Sequence, residues 1–312
     1  MVPRSPSNLQ LGVGLDVAWG SGFLSRPDGT DVASDGLVAF LTRQAGHFRH
    51  LFVSWQPKDR GPLDASRYFQ AYDDLFARVG HLYPVRALHH TALNLGALET
   101  SDRRELLALT RALVERYDFA WVNEDVGLWS IHGTPLPYPL APYLTERGLR
   151  AAIANTREVQ DALPVPMVIE FPGFSDGTAL VLGKMHAYDF FRRLADDADV
   201  PVTLDTGHLL SYQWLRGRRG EALFDELDKL PLDRCFEIHL SGCSIEDDRF
   251  HDRHHGILLA DQFAMLRRLA RLCPNLRAVT YEDPVFDAAG TFVAATTPSL
   301  DTLLATAREI AA

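Results

Sequence analysis

The sequence is poor in cysteine and in long apolar runs, and both shortages narrow the class of protein. Its 312 residues include only three cysteines, Cys235, Cys243 and Cys273, and contain no CxxC pair. This composition argues against a disulfide-stapled secreted scaffold and fits a reducing cytoplasm. No run of 18 apolar residues occurs, and the N-terminus lacks a basic segment followed by an apolar one. We therefore expect a soluble, unexported protein without a membrane span.

Positive charge is also in short supply. The chain has 31 Lys and Arg against 41 Asp and Glu, which gives a formal net charge of -10. This balance argues against a general nucleic-acid or anionic-membrane surface, because both need a cationic footprint. The sequence also lacks the Gly-rich phosphate turn of a dinucleotide-binding sheet, since "GVGLDV" does not complete that pattern. Apolar residues nevertheless make up 46% of the chain, which is ample material for a core.

What the sequence does contain is a regular alternation of strand and helix patterns. Apolar residues recur at helical spacing in segments such as 104–117, 146–163 and 261–272. Between such segments lie eight short β-type runs, at 9–16, 50–55, 84–89, 119–124, 166–171, 201–205, 234–240 and 277–282. Eight strand-then-helix units match a (β/α)8 barrel better than an open sheet. We therefore predict an α/β fold, a single TIM-barrel domain over residues 1–312.

Polar side chains of similar kind stand at the ends of these strands or in the loops just beyond them. A D-x-x-H pattern follows strand six, and a D-x-H pattern lies in the loop after strand seven. The nine candidates are His89, Glu124, Glu170, Asp205, His208, His239, Asp252, His254 and Glu282. Because the carboxyl ends of barrel strands meet at one mouth, we expect these side chains to converge there.

Five carboxylates in one mouth need a counter-charge. Two of them about 5 Å apart repel by roughly 3 kcal/mol at an effective dielectric near 20. No Lys or Arg occupies the same strand-end positions, so we expect two or three divalent cations with the four imidazoles as neutral ligands. Oxygen and nitrogen ligands suit Zn, Mn or Fe. Taken singly, each residue has an ordinary alternative as a helix cap or an ion-pair partner, so the ordered set carries the prediction.

The order of these ligands resembles the metal site of the endonuclease IV and xylose-isomerase-like barrel superfamily. The segments "LPYPLAPYLTERGLRAAIANTREVQDALPVPMVIEF", "LPLDRCFEIHLSGCS" and "VTYEDP" carry a closer resemblance. They are similar to the multinuclear non-haem iron-dependent oxidative enzymes, the family of the methanobactin-maturation oxidase. This resemblance implies two or three iron ions, as Fe(II) and Fe(III), with O2 as co-substrate. It also implies natural-product biosynthesis in which a cysteine or other thiol of a ribosomal peptide or small molecule is modified.

The resemblance carries the ligand role to the residues named above, and we assign catalytic roles to His89, Glu124, Asp205 and His239. Position 208 is commonly Asn in the family and is His208 here. The resemblance implies that a peptide-presenting partner protein can be required. We expect neither nucleic acid nor membrane as a partner.

Three departures from the family pattern concern the predicted site. The family's histidine at the end of strand two is Ser54, the Asn after Glu170 is Phe171, and a second His four residues beyond His239 is Cys243. We therefore expect one metal position to be altered or lost.

Two other functions stay open at this point. One is a zinc- or manganese-dependent enzyme of the same superfamily, either a phosphodiester hydrolase or a sugar isomerase, that uses a metal-activated water. The acidic balance counts against an abasic-site nuclease, whereas His90 or His255 could act as the proton shuttle of an isomerase. The other is a non-catalytic barrel that binds a partner and keeps metals for structure.

Overall fold

A computed structural model describes residues 12–17, 22–27, 29–54, 63–99, 102–174 and 180–311. The strands are β1 (Gly12–Val17), β2 (Phe23–Ser25), β3 (Asp31–Ala33), β4 (His50–Val53), β5 (Val85–His90), β6 (Trp121–Asp125), β7 (Leu128–Ile131), β8 (Thr134–Leu140), β9 (Met167–Glu170), β10 (Val202–Asp205), β11 (Cys235–Leu240), β12 (Cys243–Glu246), β13 (Arg249–Asp252) and β14 (Ala278–Glu282). The helices are α1 (Asp35–Gln44), α2 (Ala65–Val79), α3 (Arg104–Tyr117), α4 (Glu146–Ala162), α5 (Ala187–Ala198), α6 (Thr206–Leu215), α7 (Ala260–Leu272) and α8 (Thr297–Ala311).

Eight parallel strands close into a barrel, in the spatial order β1-β14-β11-β10-β9-β6-β5-β4 with β4 returning to β1. The remaining strands form three antiparallel hairpins, β2–β3, β7–β8 and β12–β13. The predicted α/β barrel is therefore confirmed, and each predicted β-type run supplies one barrel strand. Residues 9–11 and 55 of those runs lie outside the described residues.

Side-chain caps fix where several of the helices begin. Ser34 Oγ accepts the Leu37 N–H at 3.1 Å before α1, and Thr145 Oγ1 accepts the Gly148 N–H at 3.0 Å before α4. Each cap satisfies one of the backbone donors that the first helical turn leaves free. The cap of α6 is Asp205, the last residue of β10, so this helix starts at the barrel mouth without an intervening loop.

The barrel interior changes from apolar to polar along the strands. A separate apolar cluster of Phe52, Ala87, Trp121, Val168 and Phe236 fills the interior before the strand ends are reached. Such packed layers make a barrel of this size a core rather than a pore. The interior is therefore closed beneath the mouth.

A close approach between two barrel strands explains a glycine in the first of them. A Cβ on Gly14 would lie 2.0 Å from His50 Nε2, so the buried His50 ring would have to move to make room for it. The space lets the His50 ring lie inside the barrel, where Nε2 is 2.8 Å from Thr280 Oγ1. The polar layer beneath the mouth thus depends on a residue without a side chain in β1.

None of the described helices combines the length and the apolar character that a membrane crossing requires.

Candidate metal centre

The strand register brings polar residues from neighbouring strands side by side at the barrel mouth. In the parallel ladders, these residue pairs stand next to one another: Asp16 with Glu282, Asp125 with Glu170, and Asp205 with His239. Neighbouring residues in register point to the same side of a sheet. The mouth therefore collects carboxylates and an imidazole from six different strands.

Ligand atoms within 4.8 Å of one another form three overlapping groups, which are Asp16, His89 and Glu282; His89, Asp125 and Glu170; and Glu170, His239 and Glu282. Glu170 and Glu282 each belong to two groups, and a carboxylate with two oxygens can bridge two cations. Both are almost fully buried, with 1% and 2% of their surface exposed. We call these three groups the buried centre.

Several atoms of this centre lack the hydrogen bonds that buried polar atoms normally make. Within the described part of the chain, the atoms of the centre without such a partner include His89 Nε2, Glu170 Oε1, His239 Nδ1 and Glu282 Oε1. Asp205, which belongs to none of the three groups, likewise has an unpartnered oxygen, Oδ2. Glu282 Oε1 and His239 Nδ1 lie 2.7 Å apart, yet they do not have hydrogen-bond geometry. Buried polar atoms are nearly always paired, so atoms that converge without hydrogen bonds fit a shared cation. The mixed nitrogen and oxygen set suits Fe, Mn or Zn.

The protonation of the buried carboxylates also fits a shared cation. Burial raises the pKa of Asp205 to about 8, and burial likewise raises the pKa of Glu282. Burial also opposes ionisation of Glu170, but the imidazoles of His239, His89 and His208 outweigh it and lower the pKa of that carboxyl to about 2. Without a cation, the carboxylates can therefore share the site only when protons on some residues offset the charge of others.

A second set of predicted ligands lies at the rim of the mouth and involves the two sequence patterns D-x-x-H and D-x-H. His208 Nδ1 donates to the carbonyl oxygen of Phe171 at 2.7 Å, and its Nε2 lies 3.1 Å from Asp252 Oδ2. His254 Nδ1 lies 2.7 Å from Asp283 Oδ2, and its Nε2 lies 3.4 Å from Asp252 Oδ1. We call His208, Asp252 and His254 the rim group. Each imidazole is held through Nδ1 and presents Nε2 to the same carboxylate.

The structure does not bring Glu124, which the sequence predicts as a ligand and catalytic residue, to either group. Its carboxylate accepts the backbone N–H groups of Leu93 and Asn94, both at 2.8 Å. Strand β6 continues to Asp125, and alternate residues of a strand face opposite sides. Asp125 therefore faces the interior and Glu124 faces away from it.

Three acidic residues outside the predicted ligand set also lie at the mouth. Asp16 is the penultimate residue of β1, Asp125 ends β6, and Asp283 directly follows the predicted ligand Glu282. Asp16 could have been predicted from the sequence, because it is the last residue of the first predicted strand, 9–16. A fourth carboxylate, Glu237, lies beneath the mouth with Oε1 3.3 Å from His239 Nε2 and Oε2 accepting the indole N–H of Trp121 at 3.0 Å. It shares an inward strand face with His239, two residues further on.

Two of the departures from the family pattern have structural explanations. Phe171 packs its ring against four aromatic neighbours, Phe174, Tyr188, Phe191 and Tyr212, at centroid distances of 5.4–6.1 Å. Its backbone oxygen, rather than its side chain, orients His208.

Cys243 is the second departure, and it is only 1% exposed. Its Sγ lies 3.9 Å from Asp252 Oδ1, and a Cβ on Gly207 would come within 2.7 Å of it. Burial raises the pKa of the Cys243 thiol well above its ordinary value, and the carboxylates of Asp252 and Asp205 raise it further. In the metal-free chain, Cys243 is therefore a packed, neutral thiol.

Comparison with known proteins identifies relatives of this chain. The family model for the RiPP precursor modification enzyme MbnB/TglH/ChrH matches residues 65–285. A UPF0276 protein of Paraburkholderia phytofirmans is 29% identical over 179 residues, which cover 55% of this chain and 54% of that protein. A UPF0276 protein of Caulobacter vibrioides is 30% identical over 221 residues, which cover 67% of this chain and 76% of that protein. The chain spans about half the length of the Paraburkholderia relative and of a similar one from Rhizobium meliloti, at 54% and 52%.

Solved structures agree with the fold. Mannonate dehydratase from Streptococcus suis superposes with a TM-score of 0.56 at 12% identity, covering 97% of this chain and 94% of that one. The fusion protein of a xylose isomerase-like TIM barrel with 4-hydroxyphenylpyruvate dioxygenase gives a TM-score of 0.51 at 12% identity, covering 94% of this chain and 42% of that one. At such low identity the likeness extends to the barrel architecture alone.

Proposed function

Because the chain belongs to the MbnB/TglH/ChrH family of RiPP precursor modification enzymes, we propose that it is a multinuclear non-haem iron oxidase. Its reaction uses O2 to modify a cysteine or another thiol-bearing group of a ribosomal peptide or small molecule. One observation carries the proposal beyond family membership. Glu170 lies between two nitrogen ligands, His89 and His239, within groups that also contain Asp125 and Glu282.

Residues at different depths of the barrel have different roles in this proposal. His89 and His239 would each supply a nitrogen ligand, and Glu170, which shares a candidate group with each of them, would supply carboxylate oxygen. Bound iron would supply O2 activation and one-electron oxidation, which side chains alone do not provide. The apolar layer that includes Phe52 and Trp121 keeps water away from the lower side of the centre.

Substrate approaches from the rim. The side chain of His254 is 40% exposed, whereas that of Asp252 is 9% exposed, so the rim group lies between solvent and the buried centre. A substrate thiol that enters past the rim group would come next to the residues that would hold the ions. We propose His89, Asp205 and His239 as catalytic ligands together with Asp125, which takes the place first given to Glu124.

The proposed function also implies a substrate, a partner protein and a cellular compartment. We propose a peptide or small-molecule thiol as substrate and a second protein that presents the peptide. The three cysteines of the chain are buried and unpaired, which fits a reducing compartment such as the cytoplasm.

The test is metal content measured together with O2 uptake. Protein produced with iron and handled without air is expected to hold two or more Fe per chain and to show a ferric absorption that changes when a thiol is added. Glu170→Gln is expected to lose iron from both positions that share this residue. Glu146→Gln, which changes an exposed glutamate paired with Arg193, is the matched control and keeps wild-type iron content.

Two outcomes would overturn the proposal. Stoichiometric zinc or manganese with no response to O2 would favour the hydrolase or isomerase of the same superfamily. Full iron loading in Glu170→Gln would remove the structural basis for a shared centre.

A further inference from the structure

A line of hydrogen bonds connects three side chains from three neighbouring strand ends. Ser54 Oγ donates to Asp16 Oδ1 at 3.1 Å, and Asp16 Oδ2 lies 2.9 Å from His89 Nδ1 in hydrogen-bond geometry. Asp16 is 2% exposed and Ser54 is 4% exposed, so the line runs through the protein interior. Each oxygen of Asp16 is thereby engaged by a different donor.

His89 can present only one nitrogen to a cation. A neutral imidazole carries one N–H and one lone pair, and the nitrogen that donates a hydrogen bond is not the one that ligates. Two of the candidate groups contain His89, one reached through Nδ1 with Asp16 and the other through Nε2 with Asp125 and Glu170. They cannot both hold a cation through this ring.

The contacts decide between the two nitrogens. Nδ1 has its hydrogen-bond partner in Asp16, while Nε2 has none among the described residues. Nε2 lies 3.7 Å from Asp125 Oδ2 and 3.8 Å from Glu170 Oε2, distances that leave room for an ion between the atoms. The rim repeats this arrangement, where Asp283 engages His254 Nδ1 and leaves Nε2 facing Asp252.

We propose that Asp16 and Ser54 are positioning residues that direct the Nε2 atom of His89 toward Asp125 and Glu170, and that Asp16 is not itself a metal ligand. Asp16 accepts the Nδ1 proton and fixes the ring, and Ser54 holds Asp16. A carboxylate behind a ligating histidine sets its tautomer and raises its basicity. Ser54 therefore acts on the centre through Asp16 and His89.

The test measures, for each variant, how many ions the metal-free protein binds and how tightly it binds them. Iron(II) is added without air in the presence of a competing chelator to the wild type, Asp16→Ala, Asp16→Asn and Ser54→Ala. All four are expected to bind the same number of ions. Asp16→Ala is expected to weaken one ion by about 10–100-fold, and Asp16→Asn less, because an amide oxygen still accepts the Nδ1 proton. Asp35→Asn, at a fully exposed position paired with Arg78, is the control and leaves affinity unchanged.

A spectroscopic signature separates positioning from a general structural effect. In the cobalt(II)-substituted protein, the ring N–H of His89 is expected to give a shifted, slowly exchanging proton signal. This signal should disappear in Asp16→Ala and stay in Asp35→Asn. Should Asp16→Ala fail to fold, Asp16→Asn and Ser54→Ala still test the ranking of affinities.

Two results would overturn the inference. Loss of one whole equivalent from Asp16→Asn, with the other ions bound as in wild type, would make Asp16 a ligand and overturn the inference. Wild-type affinity in every variant would overturn it as well. The inference rests on the proposed function only in that the buried centre holds metal. Protein that binds ions as expected but consumes no O2 refutes the proposed oxidase and leaves the roles of Asp16 and Ser54 standing.

Discussion

Adjacent residues Glu124 and Asp125 should separate folding stability from metal binding, because the strand points them in opposite directions. Glu124→Ala removes the acceptor for the backbone N–H groups of Leu93 and Asn94, both in a fully buried contact. Each buried donor left without a partner costs about 1–3 kcal/mol, so the two together predict a loss of roughly 2–6 kcal/mol. With an unfolding entropy of about 2.1 cal/mol/K per residue, that loss lowers the melting temperature of a 312-residue domain by about 3–9 °C.

The assay is thermal unfolding of the metal-free protein together with iron counting after reconstitution. Glu124→Ala is expected to melt earlier and to bind the wild-type number of ions if it is loaded below its melting temperature. Asp125→Asn is expected to melt close to wild type and to bind iron more weakly, since it removes a charged oxygen from the group with His89 and Glu170. If Glu124→Ala lost an ion while its melting temperature stayed unchanged, the strand facing derived from the hydrogen bonds would be refuted.

Three further predictions test other parts of the structure. Chelation of bound metal is expected to lower the melting temperature, because a ligand held at 100 times its dissociation constant stabilises the fold by about 2.7 kcal/mol; equal melting of loaded and stripped protein would contradict a buried site. Gly14→Ala is expected to give little folded protein, since the new Cβ would meet the His50 ring at 2.0 Å, and normal yield with an unchanged circular dichroism spectrum would refute this packing. Alkylation of Cys243 at pH 8 is expected to be far slower in the native metal-free protein than in urea, because the thiol is buried with a raised pKa; equal rates followed by mass spectrometry would contradict its placement.

The site itself was only partly accessible from the sequence. Glu170, Asp205, His239 and Glu282 were recognisable as strand-end residues, and the structure places each of them at the mouth. Glu124 and Asp125 could not be told apart, because a one-residue change in where a strand ends reverses which side chain faces inward. Asp125 became identifiable only when the described strand was seen to continue to it.

The barrel fold could be predicted from local sequence patterns. Its eight β-type runs alternate with apolar periodicity of the helical kind, and these local patterns follow from which residues each element must bury. The same patterns placed most of the polar residues at strand ends. The residue types alone identified nitrogen and oxygen donors, and they showed no Lys or Arg at the same strand-end positions.

The arrangement of those donor atoms, by contrast, follows from contacts between segments that are far apart in the chain. Whether His89 presents Nδ1 or Nε2 depends on Asp16, which is 73 residues away in the chain and reaches the ring through barrel closure. The place of Glu170 in two of the candidate groups likewise depends on the register of β9 with β6 and β10. Hydrogen bonds and ligand geometry are set by distances of a few tenths of an ångström between distant segments, and local sequence patterns do not encode distances of that kind.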